Sequence, residues 1–328
     1  MAQNFNKFTR GISKKFAEAF KNCELHKLCR ENRNDTLIAV RNNYMNIYYN
    51  CDSIAKIEFI NDTICCKIDK YYLDGKHYES NDKEKHFKTD AKLIYDKLEI
   101  IKQNSAKKST NEKKAQSKLV LLNNFNRSSN WYCIDVEYVK QFKNKIEKME
   151  SGYNGRFDII AVSKSTPHRV ALIELKYGAG SMGGKSGVFK HVEDFFKFKE
   201  NMYFENHLKL EIIEIIKSLK YLDPNAPINE PLQEDLLVPE YFFITIDNNA
   251  KNANGSTPKQ TMAGYLFSKK RWDCKKLSKA DSVETVFGDI TKKSNEICAT
   301  FLFSKATLDT LKINDIIDGK YDERIIPE

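Results

Sequence analysis

Gly155-Arg-Phe-Asp-Ile-Ile-Ala-Val162 and Val170-Ala-Leu-Ile-Glu-Leu-Lys-Tyr177 are two apolar runs with charges in their middles, separated by a polar turn that ends in Pro167-His168. Runs of this length and β-branched content read as strands. The link between them is too short for a helical crossover, so they predict an antiparallel hairpin. Alternation in the second strand puts Ala171, Ile173 and Leu175 on one face and Leu172, Glu174 and Lys176 on the other. Pairing Val162 with Val170 sets Asp158 directly opposite Glu174, so three charges converge within apolar strands. Burying them uncompensated costs several kcal/mol. A divalent cation is one compensation. Asp158, Glu174 and the Leu175 carbonyl offer hard oxygen ligands to Mg²⁺ or Mn²⁺, and Lys176 can orient or polarise a water attacking a phosphodiester. Without the cation, one of the two carboxylates is expected to have a raised pKa.

An acid two residues before a lysine also occurs at Asp74-Gly-Lys76, Asp90-Ala-Lys92 and Glu112-Lys-Lys114, but those lie in polar or helical segments. Only Glu174-Leu-Lys176 lies in an apolar strand, preceded by a strand with a central Asp and followed by a long helix. In these residues the chain resembles the PD-(D/E)XK nuclease superfamily, the restriction-endonuclease-like fold. Asp158 matches its first acid and Glu174-Leu-Lys176 its tripeptide. Phe157 stands where the family has proline, which supplies no chemical group to the mechanism. The resemblance covers about residues 110 to 250. It implies an α/β core in the order α-β-β-β-α-β with a mixed sheet, and a metal-dependent nuclease, DNA being favoured over RNA as substrate. Restriction, phage defence and repair are roles it allows. It also implies a further acid near the metal. Trp131-Tyr-Cys-Ile-Asp-Val-Glu-Tyr138 puts Asp135 and Glu137 on a common face, and Glu137 is the candidate. A catalytically silent nucleic-acid-binding module of the same fold is an alternative.

A second motif competes. Ala179-Gly-Ser-Met-Gly-Gly-Lys185-Ser186 fits a relaxed P-loop, and Tyr241-Phe-Phe-Ile-Thr-Ile-Asp247 reads as a Walker B strand, so a P-loop NTPase would use Lys185 and Asp247. A P-loop strand is parallel and buried on both faces, which suits Glu174 and Lys176 poorly. In the nuclease reading the same glycines form a loop whose Lys185 and Ser186 hold the substrate backbone. His191, one turn before Asp194 on the following helix, is a third substrate-binding candidate.

The remainder of the 328 residues sets the frame. Hydrophobic residues at 41 %, aromatics at 12 %, 13 Gly and 7 Pro exclude collagen-like and wholly disordered chains. Mean hydropathy is -0.58, and no apolar run approaches the roughly 18 residues of a membrane span, so neither membrane insertion nor secretion is expected. The 8 cysteines are scattered without a CxxC, which argues against a disulfide framework and for a reducing cytoplasm. Cys23-x2-His26-x2-Cys29 drifts round one helix and reads as buried thiols in preference to a zinc site. The net charge of +9 is segregated. Residues 1 to 30, 102 to 118 and 269 to 279 are basic, and 222 to 240 carry five acids and no base. Such asymmetry favours a polyanionic partner, nucleic acid above all.

Along the chain, apolar spacing predicts one basic amphipathic helix over 5–30 and strands over 36–41, 44–49, 54–60 and 63–68 that form an antiparallel meander. A loop is expected over 74–90 and helices over about 90–103 and 111–124, flanking the hydrophilic stretch 104–110. That stretch divides the chain into an N-terminal lobe, 1–105, and a nuclease core with a C-terminal extension, 106–328. In the second part, strands are expected near 131–139, 155–162, 169–177, 241–247, 261–267 and 297–303, with one helix over 187–221. Tyr44, Tyr48 and Tyr49, amid Arg41, Asn42 and Asn43, could stack on bases, although aromatic strand residues mostly pack cores. Assembly as a homo-oligomer is left open.

Overall fold

The computed structural model describes residues 10–79, 82, 85–125, 128–140, 145, 149, 155–177, 188–246, 284–286, 298–303, 313 and 317. Among the described residues the chain is mixed α/β and carries two sheets. It divides into two compact units, Met1–Leu121 with His207–Gln233, and Leu122–Asn206 with Glu234–Glu328. Among the described residues no helix is long and apolar enough to cross a membrane.

The first unit is built on the antiparallel meander β1 (Thr36–Val40), β2 (Tyr44–Tyr49), β3 (Asp52–Ile60), β4 (Thr63–Asp69) and β5 (His86–Thr89), in that order across the sheet. Two of its turns are two-residue hairpins, Asn50-Cys51 and Asn61-Asp62, with all four residues at positive φ. Left-handed turns of this kind match the right-handed strand twist, and Asn and Asp tolerate them. Met45, Ile47, Ala55, Ile57, Cys66 and Ile68 fill the inner face, and α1 (Lys14–Lys21) adds Phe16, stacked on Phe59 with centroids 5.5 Å apart. The single helix expected over 5–30 is broken. Helix α1 ends at Asn22, and α2 (Glu24–Glu31) restarts from Cys23 in extended conformation. Tyr71–Asp74 (α3) and β5 occupy part of the expected loop over 74–90.

Ala91–Asp96 (α4), Leu98–Lys108 (α5) and Asn111–Phe125 (α6) follow. The hydrophilic stretch expected to divide the chain is mostly helical, since α5 runs through it to Lys108. Asp52 at the head of β3 accounts for this. Its buried carboxylate accepts from Ser105 Oγ (3.2 Å) and Ser109 Oγ and pairs with Lys113 Nζ (3.0 Å), so the polar residues clamp the helices to the sheet. The division falls at Leu121, inside α6. Lys209–Leu222, labelled α8 below, also belongs to this unit. Ser218 Oγ accepts the Ile12 N–H (3.0 Å), and buried Glu211 faces Arg10 at 3.6 Å.

The second unit carries a mixed sheet of β6 (Trp131–Val139), β7 (Arg156–Ser163), β8 (Val170–Tyr177), β9 (Glu240–Ile246), β10 (Glu284–Val286) and β11 (Cys298–Phe303), in the order β10-β11-β9-β8-β7-β6. Strands β6, β7 and β8 pair antiparallel, β8 pairs parallel with β9, and β9 with β11. The edge strand β6 is covered. The Asn124 amide donates to Cys133 O (2.9 Å) and accepts from Cys133 N–H (2.8 Å), standing in for a further strand. The helix expected over 187–221 is two helices, α7 (Val188–Glu200) and α8, joined through Met202 at φ 47° and a π-turn over Phe204–Leu208. Only α7 belongs to the sheet of this unit. Phe195 stacks on Phe157 (5.4 Å) and meets Tyr241 (4.8 Å) and Phe243 (5.1 Å), while Phe198 sits edge-on to Phe157 at 5.1 Å. The expected strand over 261–267 lies outside the described residues.

Candidate active site

The β7–β8 register pairs Val162 with Val170 and Ile159 with Ile173, and the ladder stops there. One step further Asp158 comes opposite Glu174. The Asp158 carboxylate accepts the Leu175 N–H at 2.8 Å, satisfying a donor that the ending ladder would leave open. Phe157, which directly precedes Asp158, is buried between Tyr138 and the two α7 phenylalanines. That packing fixes the backbone on which Asp158 is carried.

Glu174 and Lys176 are 2 % and 5 % exposed, so both charges are out of water and need mutual compensation. Lys176 Nζ lies 2.5 Å from Glu174 Oε1, and His191 Nε2 lies 2.9 Å from the same oxygen. Neither contact uses Oε2. His191 reaches this point because His191, Phe195 and Phe198 follow one another at helical spacing on the face of α7 that meets the sheet. The sequence reading assigned His191 to substrate and did not include this contact. The signal that could have found it is the spacing to the two phenylalanines.

The two carboxyls titrate in opposite directions. Burial pushes Asp158 well above the ordinary aspartate range, and the neighbouring Glu174 charge adds to it. For Glu174, burial also works upward, but the Lys176 ammonium and the His191 hydrogen bond outweigh it and hold the carboxyl below its usual range. Folded Asp158 therefore keeps a proton that the unfolded chain loses above 3.8. The metal-free protein should gain stability as pH falls from neutrality toward that value. Glu174 acts with the opposite sign only below 4.5, where its contribution is lost. Thermal melts from pH 7 downward, compared with Asp158→Asn, check this. An identical profile in both proteins would remove Asp158 as the cause.

Glu137 lies on the neighbouring strand. It stands opposite Asp158 in the β6–β7 register, since Val136 pairs with Ile159 and Tyr138 with Phe157. A register shift between Cys133 and Asp135 precedes it, and its own φ is 51°, a left-handed conformation that interrupts strand alternation. Its charge gives Asp158 only a small further upward push. Asp135, the other acid on this strand, is buried and accepts its neighbour's Val136 N–H at 2.8 Å. Among the described residues no three His, Cys, Asp or Glu side chains are grouped as a metal site. The expected metal ligands are the Asp158 and Glu174 carboxylates and the Leu175 carbonyl, and Glu137 is near enough for its charge to act on Asp158. The donors present suit a hard cation. They are oxygens, one carboxylate is already ionised, and a cation would offset the proton burden on Asp158.

Lys185, Ser186 and Asp247 lie outside the described residues. No protein-family model, curated protein or solved structure matches the chain.

Proposed function

We propose that this chain is a Mg²⁺- or Mn²⁺-dependent nuclease that hydrolyses phosphodiester bonds, DNA being the favoured substrate, with the restriction-endonuclease-like core named above. One observation carries the reading. Asp158, Glu174 and Lys176 meet where an antiparallel hairpin parts, and Glu174 and Lys176 are buried at a cost that packing alone does not require. The order α6-β6-β7-β8-α7-β9 and the mixed sheet support it. When bound, the metal would be held by Asp158, Glu174 and the Leu175 carbonyl and would supply Lewis-acid stabilisation of phosphoryl charge. Lys176 keeps a positive charge beside the reacting phosphate and can hold a water by one of its N–H donors. His191 and Lys176 together fix the orientation of Glu174 through one oxygen. Cleavage of plasmid and oligonucleotide DNA with Mg²⁺ or Mn²⁺, abolished by chelator, tests the proposal. Inertness toward DNA and RNA with both metals would sink it.

A P-loop NTPase remains a second reading because β8 and β9 are parallel neighbours with Tyr177 paired to Ile246. In sequence, Asp247 directly follows β9 and the glycine-rich segment directly follows β8. Against it stand the antiparallel β7 beside β8 and the ion pair in the middle of β8. Calorimetric titration of the wild type with ATP and Mg²⁺ should detect no tight binding. Micromolar binding that disappears in Lys185→Ala would reverse the preference.

A further inference from the structure

We infer that the open face of the antiparallel sheet in the first unit binds single-stranded nucleic acid, with a cross-strand row of lysines on the phosphates and Tyr44 beside it as a stacking platform. The inference rests on the nucleic-acid substrate proposed above and gives the N-terminal unit a share in holding it.

Three of the six lysines of the basic stretch 102–118, where the sequence pointed, are engaged within the fold. Lys102 pairs with Asp35 (3.0 Å), Lys113 with Asp52 (3.0 Å), and Lys108 lies 3.7 Å from Asp69. The meander register builds a different cationic surface. Lys56 pairs with Lys67 across β3 and β4, and Lys67 with Lys88 across β4 and β5, so three lysines stand directly opposite one another on adjacent strands. Like charges at such positions destabilise a sheet. Their side is the one away from the core. Met45, Ile57 and Cys66 next to them are buried, whereas Lys56 and Lys67 side chains are 34 % and 35 % exposed and Lys88 is exposed.

Compensation within the row is incomplete. Glu58 reaches both Lys56 and Lys67 at 2.8 Å, which leaves three cations against one anion, and Lys88 makes no ion pair among the described residues. Burial raises the Glu58 pKa, but the two lysines outweigh it, so the acid is already ionised and has no more charge to give. Asp69, farther along the same face, is turned toward the Tyr71 N–H and Lys108. Beside the row, the Lys56 ammonium lies 4.2 Å from the centroid of the half-buried Tyr44, and Asn46, between Tyr44 and Tyr48 on β2, is opposite Lys56. A sheet face presenting spaced cations next to an aromatic ring matches how single strands are held, by counterion release from the backbone and stacking of exposed bases. A duplex keeps its bases stacked inward and would leave Tyr44 unused.

The test is fluorescence anisotropy of labelled oligothymidylate with the full chain in chelator, so that cleavage plays no part, at salt between about 50 and 200 mM. The triple variant Lys56→Gln/Lys67→Gln/Lys88→Gln should lose roughly tenfold or more in affinity, and its salt slope should be shallower by about 2. Tyr44→Ala should lose roughly tenfold. Lys15→Gln/Lys27→Gln/Lys92→Gln removes the same charge from exposed lysines elsewhere in the unit and should change little. Lys88→Gln alone, which breaks no ion pair among the described residues, should flatten the slope by about 0.7 and guards against misfolding of the triple variant. Equal behaviour of the two triple variants, single-strand binding indifferent to Tyr44→Ala, or no binding of single strands would each overturn the inference. If the protein cleaves nucleic acid while the lysine row proves inert, this inference alone fails. If strands bind through the row but are never cleaved, the nuclease reading fails and the surface stands.

Discussion

Asp158→Ala, Glu174→Ala and Lys176→Ala should each lower metal-dependent cleavage by at least about 10²-fold, the order of loss seen when one preorganised electrostatic group is removed from a reacting centre. In the proposed site the first two would take an oxygen donor from the cation, and the third removes the ammonium bonded to Glu174. Asp158→Asn keeps an acceptor for the Leu175 N–H while deleting the charge that burial and Glu174 disfavour. It should therefore be inactive and yet melt at or above the parent's temperature without metal. A loss of function accompanied by a gain of stability marks a functional charge, since structural charges lose both together. Three variants that cleave like the parent would dissolve the site assignment.

The second large effect concerns stability. Lys176→Met leaves Glu174 buried with His191 as its remaining partner, and breaking a buried pair from one side costs about 3–5 kcal/mol. Glu174→Gln/Lys176→Met removes both charges and should recover most of that loss, so urea denaturation of the four proteins of the cycle should give a coupling well above the roughly 1 kcal/mol of surface pairs. Additive single effects would mean that the 2.5 Å contact contributes little. The same cost sets a condition on the cleavage assay. Lys176→Ala must be assayed well below its own melting temperature.

The hairpin and its register were legible because period-two alternation and a short link leave little freedom, and a one-residue slip would have turned Glu174 to the opposite face. The meander was legible through its Asn- and Asp-containing turns. Helix breaks were not. Apolar spacing continues unbroken through Asn22-Cys23 and through Asn201-Met202, and nothing in the hydrophobic pattern records a left-handed Met202. The left-handed backbone at Glu137 escaped for a similar reason, since alternation assigns a face but gives no sign of a register shift or a positive φ. Lys56, Lys67 and Lys88 are far apart in sequence, and only strand pairing sets them in a row. Local periodicity carries local geometry, while contacts that depend on register or on a break in an element are decided in three dimensions.

The first unit is made of two separated stretches of chain, and this bears on its birth at the ribosome. Arg10 finds Glu211, and the Ile12 amide finds Ser218, only after the 85 residues of Leu122–Asn206 have been synthesised. At about 5–20 residues per second that interval is roughly 4–17 s. During it the meander must persist with the Arg10 guanidinium still hydrated and the surface destined for α8 uncovered. Expression of the N-terminal stretch alone would freeze the protein in that unfinished condition. A soluble fragment is expected only if residues 207–233 are supplied, either in trans or spliced after Leu121 through a flexible linker.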